Sequence, residues 1–100
     1  MYQKKVHSEQ YISVSNSNTV QKVFHLCSQN EKIKWVLIKD ESTDDIQGCI
    51  SKDSILIAIS YHLLDIAILD IADHPPSKEG STQNVSRLFW DELGNLYERT

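Results

Sequence analysis

The chain has 100 residues, of which 40% are hydrophobic and 24% charged, with a formal net charge of −4. This length suits one domain with a single core, and this composition excludes a disordered or low-complexity chain. The polar N-terminal segment and the absence of any run of about 20 apolar residues predict a cytoplasmic protein with no signal peptide and no membrane partner.

The first half of the chain alternates predicted strands and helices. Residues 11–14 alternate apolar and polar side chains, which predicts a short strand. After a turn-rich break, apolar residues recur at helical spacing and predict an amphipathic helix, at Val20, Val23, Phe24 and Cys27. The continuous apolar run 35–38 predicts a buried strand, and residues 46–50 predict a second strand that pairs with it as a hairpin.

A second helix is predicted to begin after Ser51, because the Ser51 hydroxyl can cap it and Asp53 suits the positive end of the helix dipole. Apolar residues follow at a spacing of four, at Ile55, Ile59 and Leu63. Residues 64–71 fit either a continuation of this helix or a further buried strand. Pro75 and Pro76 end whichever element precedes them.

A last helix is predicted over residues 82–98, because its apolar residues trace one helical face. These residues are Val85, Leu88, Phe89, Leu93 and either Leu96 or Tyr97. Trp90 lies about 100° around this helix from Phe89. This position favours partial burial in the core, and the alternative is an exposed Trp of the kind that is typical of protein interfaces. Residues 20–24 and 85–89 also match faintly, which indicates a repeat of two helices at an offset of 65 residues.

Together these elements predict one α/β (α+β) domain over residues 1–100. We expect a small sheet of three or four strands packed against two or three helices, with a strand-helix-hairpin-helix core followed by the C-terminal helix. The periodicity of the apolar residues predicts a core built from Val20, Val23, Phe24, Val36, Ile38, Ile50, Ile55, Ile59, Leu88 and Phe89.

No arrangement of residues indicates catalysis. The four histidines do not pair with a Cys or another His at metal-ligand spacing, and three glycines are too few for a phosphate-binding loop. Cys27 and Cys49 lie far apart among apolar neighbours, as buried free thiols do. We therefore expect a binding protein with no catalytic residues, no metal and no cofactor.

Charge is unevenly distributed along the chain. Residues 1–39 carry six lysines against two glutamates, a net of +4, whereas residues 40–73 carry eight acidic residues against Lys52 alone, a net of −7. This acidic segment argues against nucleic acid as a partner and favours a basic protein. A solubilising acidic face with no partner explains the same charges equally well. The candidate partner-binding residues are Trp90 and four acids that crowd the predicted hairpin turn: Asp40, Glu41, Asp44 and Asp45.

The order strand, helix, strand, strand, helix over residues 10–64 resembles a cystathionine-β-synthase (CBS) domain, and three stretches carry the resemblance. Residues 17–20 (Ser-Asn-Thr-Val) resemble the start of that family's first helix. Residues 35–40 (Trp-Val-Leu-Ile-Lys-Asp) resemble its second strand, which ends in an acidic residue. Residues 48–56 (Gly-Cys-Ile-Ser-Lys-Asp-Ser-Ile-Leu) resemble its third strand and second helix.

The resemblance implies a regulatory, non-enzymatic domain. Such domains come in tandem and bind adenine nucleotides in the cleft between the repeats, which makes Gly48, Ser51 and Ser54 the candidate ligand-binding residues. The family has an Asp where Ser54 stands, so the resemblance implies weak nucleotide binding, or binding of a partner protein instead. A single copy is expected to form a homodimer through its helices.

An alternative function fits the acidic middle of the chain. A small acidic inhibitor, such as a toxin-neutralising immunity protein, uses its acidic residues to block a basic active site. The sequence leaves both functions open.

Overall fold

The computed structural model describes residues 3–80 and 86–99. In these ranges two helices and seven strands follow the order β1 (Gln3–Val6), β2 (Tyr11–Ser15), α1 (Val20–Ser28), β3 (Trp35–Lys39), β4 (Ile46–Ser51), α2 (Lys52–Ser60), β5 (Ser77–Lys78), β6 (Leu88–Trp90) and β7 (Leu96–Arg99). Short 3-10 turns lie at Ser8–Gln10 and Ile68–Ile71. None of the helices in the described ranges has the length and apolarity needed to cross a membrane.

The strand-helix-hairpin-helix core predicted for the first half is confirmed, and with it the α/β class. Strand β3 pairs in parallel with β2 and antiparallel with β4. Thr19 caps α1, because its hydroxyl oxygen accepts a hydrogen bond from the Lys22 amide at 3.2 Å, and Ser51 caps α2 in the same way. Residues 64–71 continue neither a long helix nor a strand, since α2 ends at Ser60 and a 3-10 turn follows at Ile68–Ile71.

The strands form two sheets where one was predicted. The first sheet has the order β2-β3-β4, and the second has the order β1-β7-β6-β5. The second sheet arises because β1, at the start of the chain, pairs antiparallel with β7 at its end. The described part of the chain therefore has three layers, with the helices on one face of the first sheet and the second sheet on the other.

The predicted C-terminal helix over residues 82–98 is wrong in its described part, since residues 88–90 and 96–99 form the antiparallel hairpin of β6 and β7. Residues 82–85 lie outside the described residues. Gly94 has a φ of 81° in the turn between the strands, a conformation that favours glycine and ends any helix. Leu96 pairs with Val6 of β1, and Leu88 and Leu96 are both buried in the cluster between the two sheets.

The strands of the second half repeat those of the first. Strand β6 pairs in parallel with β5 and antiparallel with β7, as β3 does with β2 and β4. In each half, the residue directly after the first of these strands donates its amide to the carbonyl of the last residue of the strand paired with it. Asn16 donates to Lys39 and Glu79 to Trp90, both at 2.8 Å. The repeat is therefore one of strands. The predicted repeat of helices is wrong in its described part, since residues 86–89 are not helical and Leu88 and Phe89 lie in β6, while residue 85 lies outside the described residues.

Two apolar clusters form the core. One lies between the first sheet and the helices, and the other joins Trp35, Leu37 and Cys49 of the first sheet to Val6, Leu88 and Leu96 of the second. Eight of the predicted core residues are buried, namely Val20, Val23, Val36, Ile38, Ile50, Ile55, Leu88 and Phe89. Phe24 and Ile59 are half-buried against the first cluster.

Candidate functional site

A groove of roughly 520 Å³ opens where β4 passes into α2. Residues 51–54 and Ile57 form one side of it, and Lys34 and Trp35 of the β3 entry lie beside them. Arg87, directly before β6, and Glu98 of β7 close the opposite side. The groove therefore lies between the two repeated halves of the chain and takes residues from both.

Two serines meet at the N-terminal end of α2. The Ser51 hydroxyl accepts a hydrogen bond from the Ser54 amide at 3.1 Å and donates one to the Ser54 hydroxyl at 3.0 Å. Ser51 is buried and Ser54 half-buried, so the Ser54 oxygen is the one nearer to solvent. The structure thus brings Ser51 and Ser54, both predicted as ligand-binding residues, together in the groove.

Gly48, the third predicted ligand-binding residue, lies away from this groove. A Cβ atom at Gly48 would stand 3.0 Å from the Asp73 carbonyl oxygen and 3.1 Å from the Ala72 Cβ. Next to this contact, Asp73 and Cys49 of β4 are joined by two backbone hydrogen bonds of 2.8 and 3.2 Å. The glycine therefore allows the segment before β5 to pack against β4.

The groove carries as many cations as carboxylates. Its cations are Lys34, Lys52 and Arg87, and its carboxylates are Glu31, Asp53 and Glu98. The Lys52 amide donates to the Lys34 carbonyl at 2.9 Å, which fixes the backbones of these two residues together. One carboxylate is already neutralised, because Glu98 forms an ion pair of 3.2 Å with Arg87.

The four predicted partner-binding acids lie in one hairpin turn between β3 and β4. Asp40 organises this turn, since its carboxylate accepts from the amides of Ser42 and Thr43 and from the Gln47 side chain at 2.7 to 3.0 Å. These hydrogen bonds lower the pKa of Asp40. The carboxylates that face solvent are those of Glu41, Asp44 and Asp45.

Trp90, the remaining predicted partner-binding residue, is half-buried on β6 of the other sheet. It packs against the cluster between the two sheets and lies beside Lys78, Glu79, Asp91 and Glu92 around a shallow recess. The structure therefore does not place Trp90 on the hairpin that carries the acidic turn.

Chemistry at a thiol is disfavoured by the positions of the two cysteines. Both are free and buried, and burial raises the pKa of each thiol, so both stay protonated at neutral pH. Cys49 donates to the His74 carbonyl at 3.2 Å. In residues 3–80 and 86–99 no three His, Cys, Asp or Glu side chains gather as a metal site. The groove suits binding by hydrogen bonds and charge.

Sequence reasoning missed the half of the groove that the second sheet supplies. Glu98 belongs to β7 and Arg87 directly precedes β6, in a part of the chain that the apolar spacing assigned to a helix. One signal favoured the hairpin: Asp91 and Gly94 are typical turn residues, and Trp90 and Leu96 flank them on two apolar runs. A hairpin placed there would have brought a second sheet into the prediction.

Comparison with known proteins gives matches among solved structures alone, since no protein-family model and no curated protein matches the chain. The CBS domain protein PAE2072 from Pyrobaculum aerophilum, complexed with AMP, aligns with a TM-score of 0.60 and 17% identity over 87% of this chain and 76% of that one. Staphylococcus aureus OpuCA aligns with a TM-score of 0.55 and 16% identity over 85% of this chain and 79% of that one. At these identities the likeness establishes the architecture: the chain has a CBS-like fold.

Proposed function

We propose that the protein is a non-enzymatic regulatory module that binds an adenine nucleotide, weakly, in the groove between its two halves. The groove at the N-terminal end of α2 carries this proposal, because it joins the paired hydroxyls of Ser51 and Ser54 to cations from both halves. A structure of similar fold is complexed with AMP.

The groove has the chemistry that a phosphate needs. The N-terminal end of a helix carries a partial positive charge that favours an anion. Lys52 is the first residue of α2, and Lys34 and Arg87 face the same space. The nucleotide phosphate is expected at these groups, and the Ser54 hydroxyl is expected to contact the ribose.

The same residues explain why binding is weak. Ser54 offers the ribose one neutral oxygen, whereas a carboxylate accepts two charge-assisted hydrogen bonds that are each about twice as strong. Glu31 and Asp53 in the groove also repel a phosphate. The expected ligand is therefore bound by its phosphate more than by its sugar.

Titration calorimetry with AMP, ADP and ATP tests this function. We expect heat of binding from the unmodified protein and an affinity for AMP that falls roughly threefold to tenfold in Lys52→Gln. Lys22→Gln is the matched control, because Lys22 is an exposed lysine of α1 outside the groove. Absence of heat with all three nucleotides at millimolar concentration contradicts the proposal.

A second observation favours self-association. Leu56, Ile57, Tyr61 and Leu63 are 43, 59, 71 and 39% exposed, so α2 and the residues that follow it are apolar on the side that faces solvent as well as on the side that faces the core. A helix that is apolar all round is normally covered on both sides. Two copies packed α2 against α2 would cover this face, and two-fold dimers are the commonest oligomers.

Sedimentation velocity at micromolar concentration tests the dimer. We expect a dimer from the unmodified protein and a monomer from Leu56→Asp. Leu93→Asp is the control, since Leu93 is 86% exposed in the β6–β7 turn. A monomeric unmodified protein, or equal dissociation by both variants, contradicts packing through α2.

A further inference from the structure

One ion pair in the groove engages three side chains. Arg87 Nη2 lies 3.2 Å from Glu98 Oε2, and the Trp35 indole Nε1 donates to the other oxygen of Glu98 at 3.4 Å. The Arg87 guanidinium carbon lies 5.0 Å from the centre of the Trp35 ring. Each oxygen of the Glu98 carboxylate therefore accepts from one donor, and the guanidinium stacks on the ring that supplies the second donor.

The two charged groups of this cluster differ in exposure. The Arg87 side chain is 56% exposed and the Glu98 side chain 24%, although both line the groove. Arg87 therefore remains accessible to a ligand in the groove while it forms the ion pair with Glu98. A guanidinium binds a carboxylate and a phosphate through the same planar array of N–H donors, so the two anions compete for it.

We propose that Glu98 is an internal competitor for the anionic ligand of the groove: it holds Arg87 in the ligand-free protein, and a phosphate group displaces it. This inference rests on the proposed nucleotide function and adds a rule of selectivity to it. A phosphorylated nucleoside can take Arg87 from Glu98, whereas a neutral nucleoside leaves the ion pair intact.

The displaced carboxylate keeps a partner. The Trp35 indole still donates to Glu98 when Arg87 turns to the ligand, and about a quarter of the Glu98 side chain faces water. The exchange therefore leaves no buried charge without a hydrogen bond, which is the situation that makes breaking an ion pair costly. Arg87 can change partners without unfolding the hairpin.

Titration calorimetry on Glu98→Gln with AMP, adenosine and inorganic phosphate tests the inference. Removing the competitor is expected to tighten AMP binding roughly threefold to fivefold, which is the scale of a partly exposed ion pair. Adenosine binding is expected to stay unchanged. Glu31→Gln removes one charge from the same groove without touching Arg87, and it is expected to tighten AMP binding less.

The double variant Arg87→Gln with Glu98→Gln identifies the cause of the gain. If Glu98 acts by holding Arg87, the gain disappears when Arg87 is absent. A gain that survives in the double variant shows general repulsion by Glu98 and overturns the inference. An equal gain for adenosine, or a gain from Glu31→Gln as large as that from Glu98→Gln, also overturns it.

Two further comparisons separate the possible failures. If the unmodified protein binds AMP and Glu98→Gln binds it equally or more weakly, the inference alone is overturned. If neither form binds AMP, the nucleotide function is overturned as well. Thermal unfolding checks that Glu98→Gln is folded. If it is not, Glu98→Asp takes its place, because that side chain is too short to reach Arg87 and Trp35 together, and unchanged AMP binding by Glu98→Asp overturns the inference.

Discussion

Asp40 and Asp91 hold equivalent positions in the two hairpins of the protein. Oδ1 of Asp40 accepts from the amides two and three residues further on at 2.7 and 3.0 Å, and Oδ1 of Asp91 accepts from the amides two and four residues further on at 2.9 and 2.8 Å. Each turn then passes through a left-handed residue, Asp44 with a φ of 66° and Gly94 with a φ of 81°. The chain therefore builds the same kind of turn twice.

Both turns depend on the charge of their first carboxylate. We expect Asp40→Asn and Asp91→Asn each to lower the Tm at pH 7, because the neutral amide oxygen accepts the same hydrogen bonds more weakly. Glu41→Gln and Glu92→Gln remove the neighbouring exposed charges and are expected to leave the Tm nearly unchanged. Equal effects from the neighbouring variants, measured by circular dichroism, would show that net charge matters more than the turn.

The same carboxylates make stability depend on pH. Backbone hydrogen bonds lower the pKa of Asp40 and of Asp91 below the ordinary value of 3.8. A lowered pKa gives stability that is fully present above the unfolded value and is lost as the pH falls through the folded value. The Tm difference between the unmodified protein and Asp91→Asn is therefore expected to be constant between roughly pH 5 and pH 7 and to shrink as the pH falls below about 3.8.

Two isoleucines of α2 give a matched test of the core. Ile55 is fully buried and Ile57 is 59% exposed on the same helix. Ile55→Ala is expected to lower the free energy of unfolding by about 2–5 kcal/mol, because it leaves a cavity. Ile57→Ala is expected to stay within about 0.5 kcal/mol of the unmodified protein in urea denaturation. A comparable loss from Ile57→Ala at low protein concentration would place that side chain in the core of the monomer.

Gly48 is expected to be intolerant of any side chain. In Gly48→Ala the new Cβ meets backbone and side-chain atoms at 3.0 to 3.3 Å, which predicts overpacking at a cost of about 1–3 kcal/mol. The pairing of Cys49 with Asp73 is expected to loosen first. Hydrogen exchange at the Asp73 amide, which donates to Cys49 at 2.8 Å, reports that loosening. An unchanged exchange rate would show that the segment before β5 is not held by this contact.

Ser54 sets the weakness of the proposed nucleotide binding. Ser54→Asp is expected to tighten AMP binding in calorimetry, since a carboxylate can accept from both ribose hydroxyls. Ser54→Asn is the control, because the Asn side chain has nearly the same size as Asp but carries no charge. If Ser54→Asn tightens binding as much as Ser54→Asp, the gain comes from side-chain length; if neither does, the ribose does not lie at Ser54.

The first half of the fold could be predicted because its signals are local. Thr19 and Ser51 cap the two helices, and the run from Trp35 to Ile38 is apolar at every position as a doubly covered strand is. Each of these signals lies within a few residues of the element that it defines. The resemblance to a CBS domain depended on the same local features.

The second half could not be predicted from spacing alone. Leu88, Phe89 and Leu96 satisfy a helical period and also the two strands of a hairpin, and the pairing of β7 with β1 decides between them. That pairing joins opposite ends of the chain, so no local window contains it. No local window contains the groove either. Ser51 belongs to a local motif, but Arg87 and Glu98 reach the groove only through the packing of the two sheets.

The position of β1 at the edge of the second sheet has a consequence for the order of folding. Gln3 pairs with Arg99 and Val6 with Leu96, so β1 is synthesised about 90 residues before the strand that it pairs with. The first sheet and its helices contain nearer contacts and can form while the rest is still being synthesised. Until β7 is synthesised, β1 lacks the strand that it pairs with in the second sheet, and an unpaired strand edge of this kind can pair with the wrong strand.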